Sequence, residues 1–140
     1  MQAAAMTQQT TIDLITRYYA AFNAGDMHSF EALLTDDVIH DVNQGGREVG
    51  KAAFRAFMQR MNGAYKEHLS DIVVFANADG TRAAAEFVVN GEYLKSDPGL
   101  PPAHGQKYVL PAGAFFDVRD GKVARVTNYY NLQDWVAQVS

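Results

Sequence analysis

The chain has no cysteine, which puts disulfides, thiol nucleophiles and thiolate-bound metals outside its chemistry. It has no runs of Lys or Arg, and 12 basic against 16 acidic residues leave a net charge of −4. That is the wrong sign for a phosphate-backbone surface, so no nucleic-acid partner is expected. No apolar run approaches the length of a membrane span. The opening Met1-Gln2-Ala3-Ala4-Ala5-Met6 lacks the basic region and apolar core of a secretory leader. No membrane partner is therefore expected, and the cytoplasm is the expected location. Proline is scarce: of four, three lie in Ser96-Asp97-Pro98-Gly99-Leu100-Pro101-Pro102, which reads as a loop. Histidine is also scarce. His28, His40, His68 and His104 form neither a His-x-His nor an HExxH pattern, so no metal site is expected. Gly45-Gly46 does not lead into a helix, which excludes a phosphate-cradling loop. No cofactor is expected.

The 140 residues, 48% hydrophobic and 20% charged, suit one domain with a real core. The expected division is an N-terminal tail over 1–9 and a single domain over 10–140. Thr10 can cap a helix, along which Ile12, Ile15, Tyr19 and Phe22 make one apolar stripe with Tyr18 beside it. Gly25 stops that helix and Asp26 can cap a second, with Met27, Phe30, Leu33 and Leu34 on one face. A third helix runs from Gly50 to Gly63, with Phe54, Phe57, Met58 and Met61 inward and Arg55, Gln59 and Arg60 outward. The period then changes to that of strands: Leu69 to Ala76, Arg82 to Leu94, Gln106 to Val118 and Val123 to Tyr130. Asn77-Ala78-Asp79-Gly80 and Asp120-Gly121 are hairpin turns between them. Asn131 can cap a last helix with Leu132, Trp135, Val136 and Val139. Helices first and antiparallel strands second is an α+β plan, a bent sheet curling round its helices to leave a cone.

The stretch Asp36-Asp37-Val38-Ile39-His40-Asp41-Val42-Asn43-Gln44-Gly45-Gly46 joins helices to sheet and should lie in the mouth of that cone. Polar groups buried there must be hydrogen-bonded or they cost stability. His40 and Asp41 are adjacent, so in a strand they point to opposite faces. They cannot form a dyad with each other, and only one can face the pocket. A histidine near neutral pKa can serve as a base if the register turns it inward.

Several segments resemble a known family. Arg17-Tyr18-Tyr19-Ala20-Ala21-Phe22-Asn23-Ala24-Gly25-Asp26 and Ala32-Leu33-Leu34-Thr35-Asp36-Asp37 look like the opening of the ketosteroid isomerases. His40 to Gly46 and Thr127-Asn128-Tyr129-Tyr130-Asn131-Leu132 resemble the SnoaL-like, ketosteroid isomerase-related proteins of the NTF2-like superfamily. The resemblance spans nearly the whole chain. It implies an NTF2-like cone, a curved antiparallel sheet wrapped on three N-terminal helices. It is less specific for reaction, because the superfamily includes isomerases, polyketide cyclases, hydrolases, dehydratases and binding subunits.

Carried over residue by residue, the isomerase oxyanion-hole tyrosine falls on Tyr18 without a gap. The catalytic carboxylate falls on Asp41 if one residue is deleted. The second oxyanion donor, a protonated acid two residues after a proline, falls on Gly113 behind Pro111. The acid is missing, so the complete steroid-isomerase mechanism is not expected. On the fourth strand Asn128 and Tyr130 share the cavity face and could bond a substrate oxygen. Phe87, Val89, Gly113 and Phe115, with Tyr93 further on, would be wall, joined by Asn43, Phe54, Phe57 and Met58. Two functions follow. One is a cofactor-free acid–base enzyme on a small, largely apolar carbonyl-bearing or cyclic substrate, with Asp41 or His40 as base and Tyr18, Asn128 and Tyr130 as oxygen donors. The other is a non-catalytic module that binds a small molecule, or assembles with a partner, on the same fold. Leu110, Ala112, Ala114 and Phe116 would then lie on the outer face of the sheet, and the resemblance implies a homodimer packed there.

Overall fold

The computed structural model describes residues 6–42 and 44–140. Among the described residues, four helices and six strands follow in chain order: α1 (Gln8–Ala24), α2 (Met27–Ala32), β1 (Leu34–Asp41), β2 (Arg47–Val49), α3 (Lys51–Ala64), β3 (Tyr65–Ala76), β4 (Arg82–Tyr93), β5 (Gln106–Arg119), β6 (Lys122–Tyr130) and α4 (Leu132–Val139). The strands form one sheet in the order β2-β1-β6-β5-β4-β3, with β2 and β3 at its unclosed edges. This is the expected α+β plan with a curved sheet. One expectation is corrected: β1 runs parallel to β6, while the other neighbours are antiparallel.

Local chemistry explains the boundaries. The α1 cap is Thr7, not Thr10, and the two threonines bond reciprocally as a capping box. The helix therefore starts inside the segment expected as a tail. It buries Thr11, Leu14, Ile15, Tyr18 and Tyr19, a stripe rotated slightly from the expected one, and ends at Gly25, whose φ of 70° suits glycine. Asp26 and Asn131 cap α2 and α4 as their positions imply. Two polar anchors seat α1 on the sheet. Thr11 donates a buried 2.6 Å bond to the Gly80 carbonyl, and Asn23 exchanges two bonds with the Leu69 backbone. A Cβ on Gly80 would lie 2.3 Å from the Thr7 carbonyl oxygen, so that close approach requires glycine.

β5 shows which face is which. Leu110, Ala114 and Phe116 are buried, whereas Val109 and Phe115 are exposed. The expected assignment of these two sets is therefore inverted. The pairing partners decide it: Phe116 stands between Ala83 and Val126, both buried, while Gly113 stands between exposed Glu86 and exposed Tyr129. Both alternating sets of β5 are apolar, so period alone cannot choose between them.

Candidate functional site

The concave face carries the groups that matter. On β1 the burial pattern alternates so that Val38 and His40 point inward. His40 pairs with Val126, itself paired with Phe116, which puts all three on the inner face. The imidazole is 2% exposed. It stacks on Phe54 at 4.4 Å and meets the edge of Phe57 at 4.5 Å. Across the β1–β2 pair, Glu48 stands opposite His40. The Nδ1–Oε1 distance is 3.4 Å, close enough for attraction but not aligned as a hydrogen bond. Both atoms are buried and otherwise without a hydrogen-bond partner among the described residues. Burial lowers the His40 pKa, against the opposing pull of Glu48 and Asp41. The ring is thus held neutral, as a base or acceptor must be.

Asp41 points the other way. It pairs with Thr127 on the outer face, takes two bonds from the Arg47 guanidinium and a third from the Thr127 hydroxyl. Those bonds, Arg47 first, hold its carboxyl below the usual range. It borders an open depression with Val42, Gly45, Gly46, Arg47, Thr127 and Tyr129, not the cone. The expected placement of Asp41 in the cavity is therefore corrected, because the β1–β6 register turns it outward. Gly113 and Phe115, expected as cavity wall, also lie outside, Phe115 being 50% exposed and edge-on to Tyr129.

Tyr18 is inside, packed on Phe30, Phe116 and Tyr19. Burial pushes its hydroxyl pKa well up, so it is a neutral donor. Tyr19, read from the sequence only as part of an apolar stripe, has a buried hydroxyl with no hydrogen-bond partner among the described residues and rests on Phe87. An orphaned buried hydroxyl is a cost that a ligand oxygen or water would relieve. Phe54, Met58, Phe87 and Val89 are buried, and Phe57 packs against them. Asn128 and Tyr130 lie on the inner face by pairing with Ala114 and Ala112, Tyr130 at the rim with 37% exposure. Asn43 lies outside the described residues.

Aromatic rings fill much of the expected hollow. A cleft of about 100 Å³ lies between α2, β1 and α3, lined by Met27, Phe30, Glu31, Leu34, Phe54, Arg55, Met58 and Gln59 but not by His40 itself. Phe54 is both its wall and the ring stacked on His40. At one side Arg55 pairs with Glu31 at 2.5 Å.

Residues 15–126 match the SnoaL-like domain model. A candidate polyketide cyclase from Pseudomonas putida is 66% identical over 93% of this chain and 98% of its own, with a TM-score of 0.92. Another, from Xanthomonas campestris, is 61% identical over 95% and 98%, also at 0.92. A candidate ketosteroid isomerase from Kribbella flavida is 28% identical over 91% and 82%, at 0.65. No curated protein matches the chain.

Proposed function

Because the chain belongs to the SnoaL-like domain family, we propose that it is a cofactor-independent acid–base enzyme acting on a small, largely apolar carbonyl-bearing or cyclic substrate. The base is His40 rather than Asp41. The observation that carries this reading is a neutral imidazole buried on the concave face, flanked by Glu48 on one side and by a ring of the cleft wall on the other. Glu48 fixes the tautomer by facing Nδ1, which leaves Nε2 to take a proton from the carbon beside a carbonyl. Tyr18 and Tyr19 are neutral phenols buried in the same interior, and one of them donates to the oxygen on which negative charge develops. Asn128 and Tyr130 extend the polar lining toward the rim. The related proteins named for polyketide cyclisation and steroid isomerisation both imply enolisation, the step this arrangement favours.

The test is α-proton exchange of cyclohexanone in heavy water, followed by proton NMR. Exchange above the buffer rate that is lost in His40→Gln supports the reading. No acceleration by the native protein would transfer it to the non-catalytic binding alternative.

The same reading includes a homodimer. Val73, Phe75, Val109, Phe115 and Tyr129 are exposed on the outer face. The arginines among them are paired, Arg47 with Asp41 and both Arg82 and Arg125 with Asp117, while Glu86 stands exposed between Val73 and Gly113. A largely apolar face whose arginines are neutralised fits a second copy of itself. Light scattering of Phe115→Glu should give a monomer where the native chain gives a dimer.

A further inference from the structure

The far end of the concave face holds a second polar cluster. Glu67 of β3, Gly91 of β4 and Tyr108 of β5 form one cross-strand row. Gly91 has no side chain, and the Tyr108 ring lies across it: an added Cβ would meet the ring at 2.2 Å. Only that gap lets the Tyr108 hydroxyl cross a strand and donate to Glu67 Oε2 at 2.5 Å. A glycine inside a strand weakens it and marks a close approach, so this contact is built at a cost. Tyr108 is the one hydrogen-bond donor to Glu67 among the described residues, which leaves the other carboxyl oxygen unspent. Trp135 of α4 closes the far side, edge-on to Tyr108, Tyr93 and Tyr65. The charged and titratable groups facing the pair are Tyr65, whose hydroxyl is committed to Asp97, Asp97 itself, and Tyr130 at the rim. No cation is among them in the described residues, so the Tyr108 bond alone favours an ionised glutamate against the desolvation that opposes it.

We propose that Glu67, set by Tyr108 across Gly91, is a hydrogen-bond-donating acid that binds a ketone or phenol oxygen of the ligand, the role that Gly113 leaves unfilled on β5. This rests on the reading of the interior as a carbonyl-binding site. It adds a second pole, so that a ligand is gripped by an acid at one end and faces His40 at the other. Burial raises the Glu67 pKa, while the Tyr108 bond pulls it down. The acid form therefore persists above the ordinary glutamate range, and removing Tyr108's hydroxyl raises it further.

The probe is 4-fluorophenol, neutral from acid to mildly alkaline pH, with binding followed by ¹⁹F NMR. In the native protein affinity should fall, about tenfold or more, as pH rises through the Glu67 pKa. Glu67→Gln should remove that inflection, and Tyr108→Phe should move it to higher pH. His40→Gln should keep it, which separates this proposal from the base assignment. A flat native profile, no binding, an inflection that survives Glu67→Gln, or one that Tyr108→Phe leaves in place would overturn the proposal. An inflection lost only in His40→Gln would overturn it while sparing the base.

Discussion

His40 and Asp41 are neighbours in the chain and occupy opposite faces of one sheet. On the outer face Asp41 is saturated: Arg47 and Thr127 take both its oxygens, with Arg125 close by. On the inner face His40 lies buried and Glu48 partly exposed, and their facing atoms, like the Tyr19 hydroxyl, are buried with no hydrogen-bond partner among the described residues. The outer face has the greater number of charged groups, yet its hydrogen-bonding capacity is consumed within the protein. The inner face has few polar groups, and those around His40 have capacity left for something else. Reactive chemistry needs that second condition, because a carboxylate fixed by two charge-assisted bonds is a poor base.

The largest expected effect breaks the comparison directly. His40→Gln should lower the catalysed exchange of cyclohexanone by about 10²–10⁴, the usual worth of a positioned base. Glu48→Gln should lower it less, because the imidazole remains while its orientation loosens. An unchanged rate in His40→Gln would remove the distinction between the faces.

Next comes packing. Gly91→Ala forces a methyl group into the Tyr108 ring, and overpacking of this kind costs about 1–3 kcal/mol. On the outer face a Cβ at Gly113 meets only the Ala85 carbonyl oxygen, at 3.0 Å. Gly113→Ala should cost less, since part of its strain is offset by the lower chain entropy of alanine. Urea unfolding of the two variants ranks them, and equal midpoints would show that the inner row is no tighter than the outer.

The third test is titration. His40 has a depressed pKa in the folded chain, so the unfolded chain binds the extra proton first. Stability from this group is complete above about pH 6.5, the unfolded histidine value, and is lost as pH falls below it toward the folded value. Thermal unfolding of the native protein should weaken over that window, and His40→Gln should lessen the loss.

These contrasts also show what the sequence could reveal. The helices, the hairpin turns at Gly80 and Gly121, and the inward set Phe87, Val89 and Tyr93 follow from period and turn chemistry. The faces of β5 do not, because Val109 to Phe116 is apolar on both sides and only pairing with β4 and β6 selects one. β2 is only Arg47-Glu48-Val49 between glycines, too short to show a period, so Glu48 could not be placed opposite His40. Tyr65-Lys66-Glu67-His68 looks too polar to open a strand. It does so because Tyr65 and Glu67 alternate inward with Leu69, and that alternation was the available signal for the second pole.

The smallest effect belongs to the residue that looked most catalytic. Asp41→Asn keeps the shape of the side chain and a hydrogen bond with Thr127 while removing the charge. Its partner Arg47 is more than half exposed, and ion pairs of that kind contribute little to stability because solvent screens them and ordering the long side chain offsets the attraction. Arg47 is then free to turn to solvent. The unfolding midpoint should barely move, and cyclohexanone exchange should stay near the native rate. A loss of exchange matching that of His40→Gln, with the fold intact, would mean that the outer depression beside Thr127 and Tyr129 is the reactive site and the buried imidazole its structural neighbour.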